Sequence, residues 1–283
     1  MYKRIRIRFW TLLLAPCFGV GGLSLEGAEG RDQSGYTWAN PVPSEMLREM
    51  TTDRPDATES PFTVDPGHVQ LEMDFGNFSR DREAGVKVTE WETLPFNLRF
   101  GMSENFEAGI FVAPYHRTVE TAAGVRTTAA GFGDIGLRAK WNVTGNEGAD
   151  FAWGLMADLK LPTAATGLGN GHWEGALTLP TAFELGGGWG GGAMTSLGLV
   201  FDDADRRRAV WVNTFTVGHD LTDNVGGFLE VTSEVGVGSH VATFNVGLTF
   251  SLDANTQFDC GVNLGISRSA PDVVGFAGIS RRY

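Results

Sequence analysis

Cysteine is almost missing from this chain: Cys17 and Cys260 are the only two in 283 residues. If the N-terminal stretch is removed, as its composition suggests below, Cys260 stands alone, and an unpaired cysteine excludes a fold stapled by internal disulfides. Hydrogen bonds and packing must then hold the structure. Positive charge is also scarce, with 22 Lys and Arg against 34 Asp and Glu and a formal net charge of -12. Without the four cations Lys3, Arg4, Arg6 and Arg8 the balance falls to about -16, which argues against a nucleic-acid partner. Past the N-terminus no apolar run approaches the ~20 residues of a membrane-spanning helix. A mature chain that crosses a membrane must therefore do so as a closed barrel, because lipid cannot satisfy an open sheet edge.

The start is cationic, Met1-Tyr2-Lys3-Arg4-Ile5-Arg6-Ile7-Arg8, and leads into an apolar stretch from Phe9 to about Leu25 followed by the small residues Gly27 and Ala28. This pattern predicts a secretory signal peptide over residues 1–28. A lipoprotein acylated at Cys17 is the competing reading, poorly served by Pro16 directly before it. Residues 29–65 are polar and punctuated by proline and read as a periplasmic N-terminal segment, with one short helix predicted from Ser44, as its cap, to Met50. Whether that segment enters the barrel is open at this point.

From Pro66 the pattern changes to period two. Val69, Leu71, Met73 and Phe75 alternate with His68, Gln70, Glu72 and Asp74, so an extended chain puts the apolar groups on one face and the polar ones on the other. The alternation returns in Leu94–Phe100, Phe106–Val112, Ile135–Trp141 and Phe151–Leu161, then through further strands to Val273–Tyr283, with the phase around Trp211 ambiguous. The prediction is an all-β antiparallel transmembrane barrel of about twelve strands over residues 66–283. Short, turn-rich connections such as Met102–Asn105 and Thr222–Asn224 alternate with longer ones such as Ser79–Gly85, Arg117–Ala130 and Pro162–His172. That sorting predicts periplasmic turns and extracellular loops. Phe100, Phe106, Trp141, Phe151, Trp189, Phe250, Phe258 and Tyr283 stand beside the short turns, where an interfacial aromatic girdle belongs.

Charged side chains directed at lipid at mid-depth cost about 2–4 kcal/mol for Lys or Arg, so the polar phase should face the lumen. This marks Gln70, Glu72, Asp74, Arg99, Asp134, Arg138, Lys140, Asp158, Lys160, Glu174, Glu184, Glu230, Asp259 and Asn263 as wall residues along a solute path, with cross-strand bracing of the wall as their alternative role. Arg138 and Lys140, opposed by Asp134, Asp158 and Glu72, are the expected selectivity determinants. The five histidines are scattered, with no metal-ligand spacing, and neither a Gly-x-Ser-x-Gly elbow nor a phosphate loop occurs. No enzyme activity, metal or cofactor is expected. The expected partners are outer-membrane lipid and lipopolysaccharide, a small-molecule solute, and the barrel-assembly machinery, engaged through the terminal Tyr283.

Several stretches also resemble the outer-membrane transporter family named for the meta-pathway of phenol degradation. They are Thr52-Asp53-Arg54-Pro55, Pro66-Gly67-His68-Val69-Gln70-Leu71-Glu72, Gly133 to Lys140, Phe228-Leu229-Glu230, Asp259 to Val262, Ala270-Pro271-Asp272 and Arg282-Tyr283. The resemblance implies a barrel and a transport role for hydrophobic or aromatic compounds. The family usually closes on Phe where this chain has Tyr283, which keeps the aromatic terminus.

Overall fold

The computed structural model describes residues 32–283 except residue 203. The signal peptide expected over 1–28 lies outside the described residues. Fifteen strands make one antiparallel sheet: β1 (Val69–Glu83), β2 (Val86–Thr93), β3 (Phe96–Ser103), β4 (Phe106–Val112), β5 (Tyr115–Ala122), β6 (Val125–Gly131), β7 (Ile135–Thr144), β8 (Phe151–Leu161), β9 (Glu174–Gly186), β10 (Trp189–Phe201), β11 (Arg207–Thr222), β12 (Val225–Gly236), β13 (Ser239–Asp253), β14 (Thr256–Gly265) and β15 (Val273–Arg282). β15 pairs back onto β1, with Gln70 opposite Arg282 and Arg80 opposite Val273, so the sheet closes on itself. β2 continues into β3, β4 into β5 and β6 into β7, and these three joins reduce fifteen segments to a barrel of twelve staves.

The joins fall at Leu94-Pro95, Ala113-Pro114 and Phe132 to Asp134. Proline has no N–H for a ladder, Leu94 takes a positive φ of 54°, and the facing β1 bulges between Asp74 and Gly76. Beyond the breaks β1, β2, β5 and β6 run on as hairpins, with β6 paired only to β5. The stretches Ser79–Gly85 and Arg117–Ala130, expected as loops, are therefore mostly strand. Arg117–Ala130 carries Thr and Val, which suit extended backbone, but both stretches lack the apolar alternation that only a lipid-facing wall demands.

The barrel is apolar outside and polar inside. Leu177, Leu197, Val231 and Leu248 on the outer face are all exposed, whereas Arg99, Lys140, Gln70 and Glu107 on the inner face are fully buried. Trp211 resolves its strand's phase, being 57% exposed beside Val210 at 1%. At the short-turn rim Phe106, Trp141, Phe151, Trp189, Phe250 and Tyr283 all point outward as the expected girdle, and Trp38 sets its ring edge-on to Phe100 at 5.7 Å. The helix predicted to Met50 shrinks to a single 3-10 turn, Ser44–Met46. Ser44 does not cap it, because Pro43 holds the cap position, and the following chain leaves the rim to enter the barrel.

Candidate functional site

The sequence reading of residues 29–65 as a periplasmic N-terminal segment leaves open whether it enters the barrel, and Arg48 to Asp65 do pass through the short-turn rim into the lumen and return. All of residues 52–66 are buried except Ala57 and Phe62, which are half-buried. At the neck of this lumen segment Arg48 Nε meets Asp65 at 2.8 Å, and Arg282 Nη1 meets the other Asp65 oxygen at 2.8 Å. The cause is complementarity: the segment is rich in charges that the lumen wall answers one by one.

Arg99 of β3 is the hub. Its guanidinium takes Glu107 of β4 through two bonds of 2.9 Å, Glu72 of β1 at 2.8 Å, Asp53 of the segment at 3.1 Å, and the Phe62 carbonyl at 3.0 Å. Asp53 also bonds Lys140 Nζ, and its backbone N–H donates to Glu72 at 2.9 Å. One turn of chain later Glu59 receives two bonds from Arg138, of 2.8 and 2.7 Å, while Arg138 Nε holds Asp158 on the neighbouring stave at 2.8 Å. On the far side Arg54 reaches Asp74 and Asp259, the latter at 2.6 Å. That reach requires Gly278, since a Cβ there would overlap the Arg54 guanidinium. Burial raises the Asp53 carboxyl, but Arg99, Lys140 and Arg138 outweigh it and hold the group down at about 2.

The tip of the segment has a different environment. Against β11, β12 and β13 the Glu230 carboxylate accepts from Ala57 N–H at 2.8 Å, Thr58 Oγ1 at 2.7 Å and Asn245 Nδ2 at 2.6 Å. Asp56 is buried beside it and forms no salt bridge among the described residues. Burial and the adjacent Glu230 push the Asp56 carboxyl well above the usual range. One flank of the segment is thus fastened by ion pairs and the other by hydrogen bonds without a cation.

Of the wall residues marked in the sequence, Gln70, Glu72, Asp74, Arg99, Arg138, Lys140, Asp158, Lys160, Glu174, Glu230 and Asp259 are buried inside. Asp134 and Asn263 are half-buried and Glu184 is exposed at the short-turn rim. The expected opposition to Arg138 and Lys140 holds for Asp158 alone. Asp134 binds Lys160 at 3.2 Å, with Glu174 on the same ammonium at 3.1 Å, and Glu72 belongs to Arg99. The larger omission was the segment itself, with Arg48, Asp53, Arg54, Glu59 and Asp65, and its wall partners Glu107 and Arg282. Glu107 was discoverable, because it interrupts Phe106 and Ala108 in the polar phase of its strand.

A closed wall with an aromatic girdle, an apolar belt and a charged interior defines a transmembrane β-barrel of the outer membrane. Residues 52–283 match the family described as "Putative MetA-pathway of phenol degradation", and the chain belongs to that family. Among solved structures it is similar to the COG4313 outer membrane channel from Pseudomonas putida F1, at 13% identity and a TM-score of 0.60 over 82% of this chain and 100% of that one. It is also similar to the transport unit of the autotransporter AIDA-I from Escherichia coli (10% identity, TM-score 0.54, 76% and 90% covered) and to the NanC porin (7%, 0.50, 75% and 98%). At these identities the likeness is one of fold. No curated protein matches the chain.

Proposed function

We propose that the protein is a narrow channel through the outer membrane for small solutes, hydrophobic or aromatic ones among them, with the segment Arg48 to Asp65 limiting the passage. The observation that carries this reading is the unequal fastening of that segment. Four basic wall-side contacts, through Arg99, Lys140, Arg138 and Arg282, hold one flank, while the β11–β12 flank meets it through Thr214 and Glu230 without a cation. A path beside or in place of the segment would open on that weaker flank. The family name supports the aromatic part of the reading, and the COG4313 channel shares the fold.

The filled lumen favours one second reading, a structural or lipid-binding barrel that transports nothing. Reconstitution of the full mature chain into proteoliposomes decides between them. Uptake should exceed that of empty vesicles and should rank aromatic, alkyl and sugar solutes differently. Uptake equal to that of empty vesicles for every class, together with silent planar bilayers, would refute the channel reading. The same proposal covers the remaining parts of the chain: residues 1–28 direct export, and Tyr283 presents the terminal aromatic to the barrel-assembly machinery.

A further inference from the structure

The part of the sheet that rises past the barrel wall has two faces of opposite charge. Above Asn77, β1 runs on beside β2, β5 and β6, while β15 has already ended at Val273, opposite Arg80. The basic side chains of this extension are Arg80, Arg82, Lys87, Arg117 and Arg126, and the acidic ones are Asp81, Glu83, Glu90, Glu92 and Glu120. The register separates them completely. Arg82, Lys87, Thr121 and Arg126 pair in one row across the four strands, Arg80 with Thr89, Val119 and Thr128 in the next, and Phe78 with Trp91, Arg117 and Ala130 in the row below. Opposed residues, and residues two apart on a strand, share a face, so every cation stands on one side and every acid on the other.

Burial identifies the cationic side as the outer one. Ser79, Val88, Glu92 and Thr118 on the acidic side are buried, whereas Arg82, Lys87, Trp91, Arg117 and Arg126 are exposed. The acids therefore line the mouth of the barrel and the cations face its surroundings. None of the five cations forms an ion pair among the described residues. Arg82 and Lys87 stand directly opposite each other, and like charges so placed repel until an anion answers them. Their height is defined as well. Arg117 opposes Trp91, whose ring meets Phe78 edge-on at 5.8 Å, and outward-facing aromatics of this kind belong at the membrane interface. Rows rise by ~7 Å each along the strands. Arg80, and above it Arg82, Lys87 and Arg126, thus stand among lipid headgroups and not among acyl chains.

We propose that this outer face is a binding site for lipopolysaccharide, the phosphorylated-sugar lipid of the outer leaflet. One phosphate seats on the Arg82–Lys87 pair, the remaining cations answer the other acidic groups of the sugar, and the acyl chains pass down beside Trp91 and Phe78. A soluble polyanion gains nothing from the aromatic row, and a phospholipid brings one phosphate to a face that offers cations in three rows. The site lies outside the wall, so it stands or falls independently of whether the lumen conducts.

The test titrates the full mature protein, folded in a zwitterionic detergent, with lipid A bisphosphate, with the same lipid stripped of phosphate, and with phosphatidylglycerol. Native mass spectrometry counts the lipids retained. The bisphosphate should bind tightest, and added salt should weaken it. Arg82→Gln combined with Lys87→Gln should weaken it by about ten-fold or more and leave the stripped lipid unchanged. Arg80→Gln combined with Arg117→Gln tests the lower rows should the first variant assemble poorly, as judged by heat-dependent gel migration. Glu90→Gln combined with Glu120→Gln, an equal change of charge on the acidic face, should leave binding as it is. Equal retention of all three lipids, or full bisphosphate binding in both assembled basic-face variants, would overturn the proposal. So would displacement of the lipid by an equal concentration of inositol hexakisphosphate, which would place the ligand in solution.

Discussion

Arg99 neutralises three carboxylates, Asp53, Glu72 and Glu107, from a position with no exposure at all. Truncating one member of a buried charge network strands the others, at a cost of about 3–5 kcal/mol. Arg99→Ala should therefore lower the midpoint of urea-induced loss of the compact gel form, and a midpoint equal to that of the wild type would show that water reaches these carboxylates. Asp56 gives a pH dependence of defined sign. Its carboxyl is raised above its ordinary value of 3.8 when the lumen segment is seated, by burial first and by Glu230 second, with Glu59 adding to the repulsion and Thr216 opposing it. A raised value means that this group's contribution to seating is complete below about 3.8 and is lost as pH climbs through the raised value. Protease cleavage within Arg48 to Asp65 should accelerate as pH rises above about 4, and Asp56→Asn should flatten that rise. A rise of equal size in Asp56→Asn would assign it to other groups. At this scale the sequence showed which wall residues turn inward, because alternation reports direction. It did not show their partners, because an ion pair between Arg54 and Asp259 spans 205 positions and leaves no local pattern.

Among the elements, the staves Trp189–Phe201 and Phe151–Leu161 were legible to the residue, since both faces of a lipid-spanning strand are constrained along its whole length. Legibility failed where the lipid ends. The hairpin of β5 and β6 rises past the breaks at Pro95 and Pro114, turns at Ala123 and Gly124 with φ of 49° and 80°, and obeys no apolar rule. Because β6 pairs only with β5, removing residues 117–130 and joining the ends with a short glycine turn should leave heat-dependent migration intact. Loss of the compact form would mean that the hairpin supports the wall. The lumen segment was hidden for another reason: it has no secondary structure to betray it, only charges whose partners lie on other staves. Arg138→Gln combined with Lys140→Gln removes the wall contacts of Glu59 and Asp53. In planar bilayers the double variant should conduct more than the wild type and prefer cations, since both acids lose their partners. Unchanged conductance and ion preference in an assembled variant would confine the two cations to bracing.

On the scale of the whole molecule, the interior holds an excess of acid that the wall cations do not fully answer, consistent with a net charge of -12. The barrel stands on its closed ladder of hydrogen bonds, completed where β15 meets β1. Tyr283, 63% exposed, ends that seam within the aromatic girdle and takes a stacking contact from Arg281 at 5.4 Å. Tyr283→Asp should leave the chain unassembled in the periplasm, readable as loss of the outer-membrane fraction, and normal membrane levels would remove the terminal aromatic from the assembly step. The seam also sets a condition on the lumen segment. The lumen segment precedes the described strands in sequence, yet its anchors Asp259 and Arg282 lie on the last two staves, and Arg282 donates to the Arg48 carbonyl across 234 positions. The contacts of Arg54 with Asp259 and of Asp65 with Arg282 need the last two staves in place and in register. A register error of one residue at the seam would turn Arg282 toward lipid and leave Asp65 without it. Full seating of the lumen segment therefore depends on the first and last staves having met in phase.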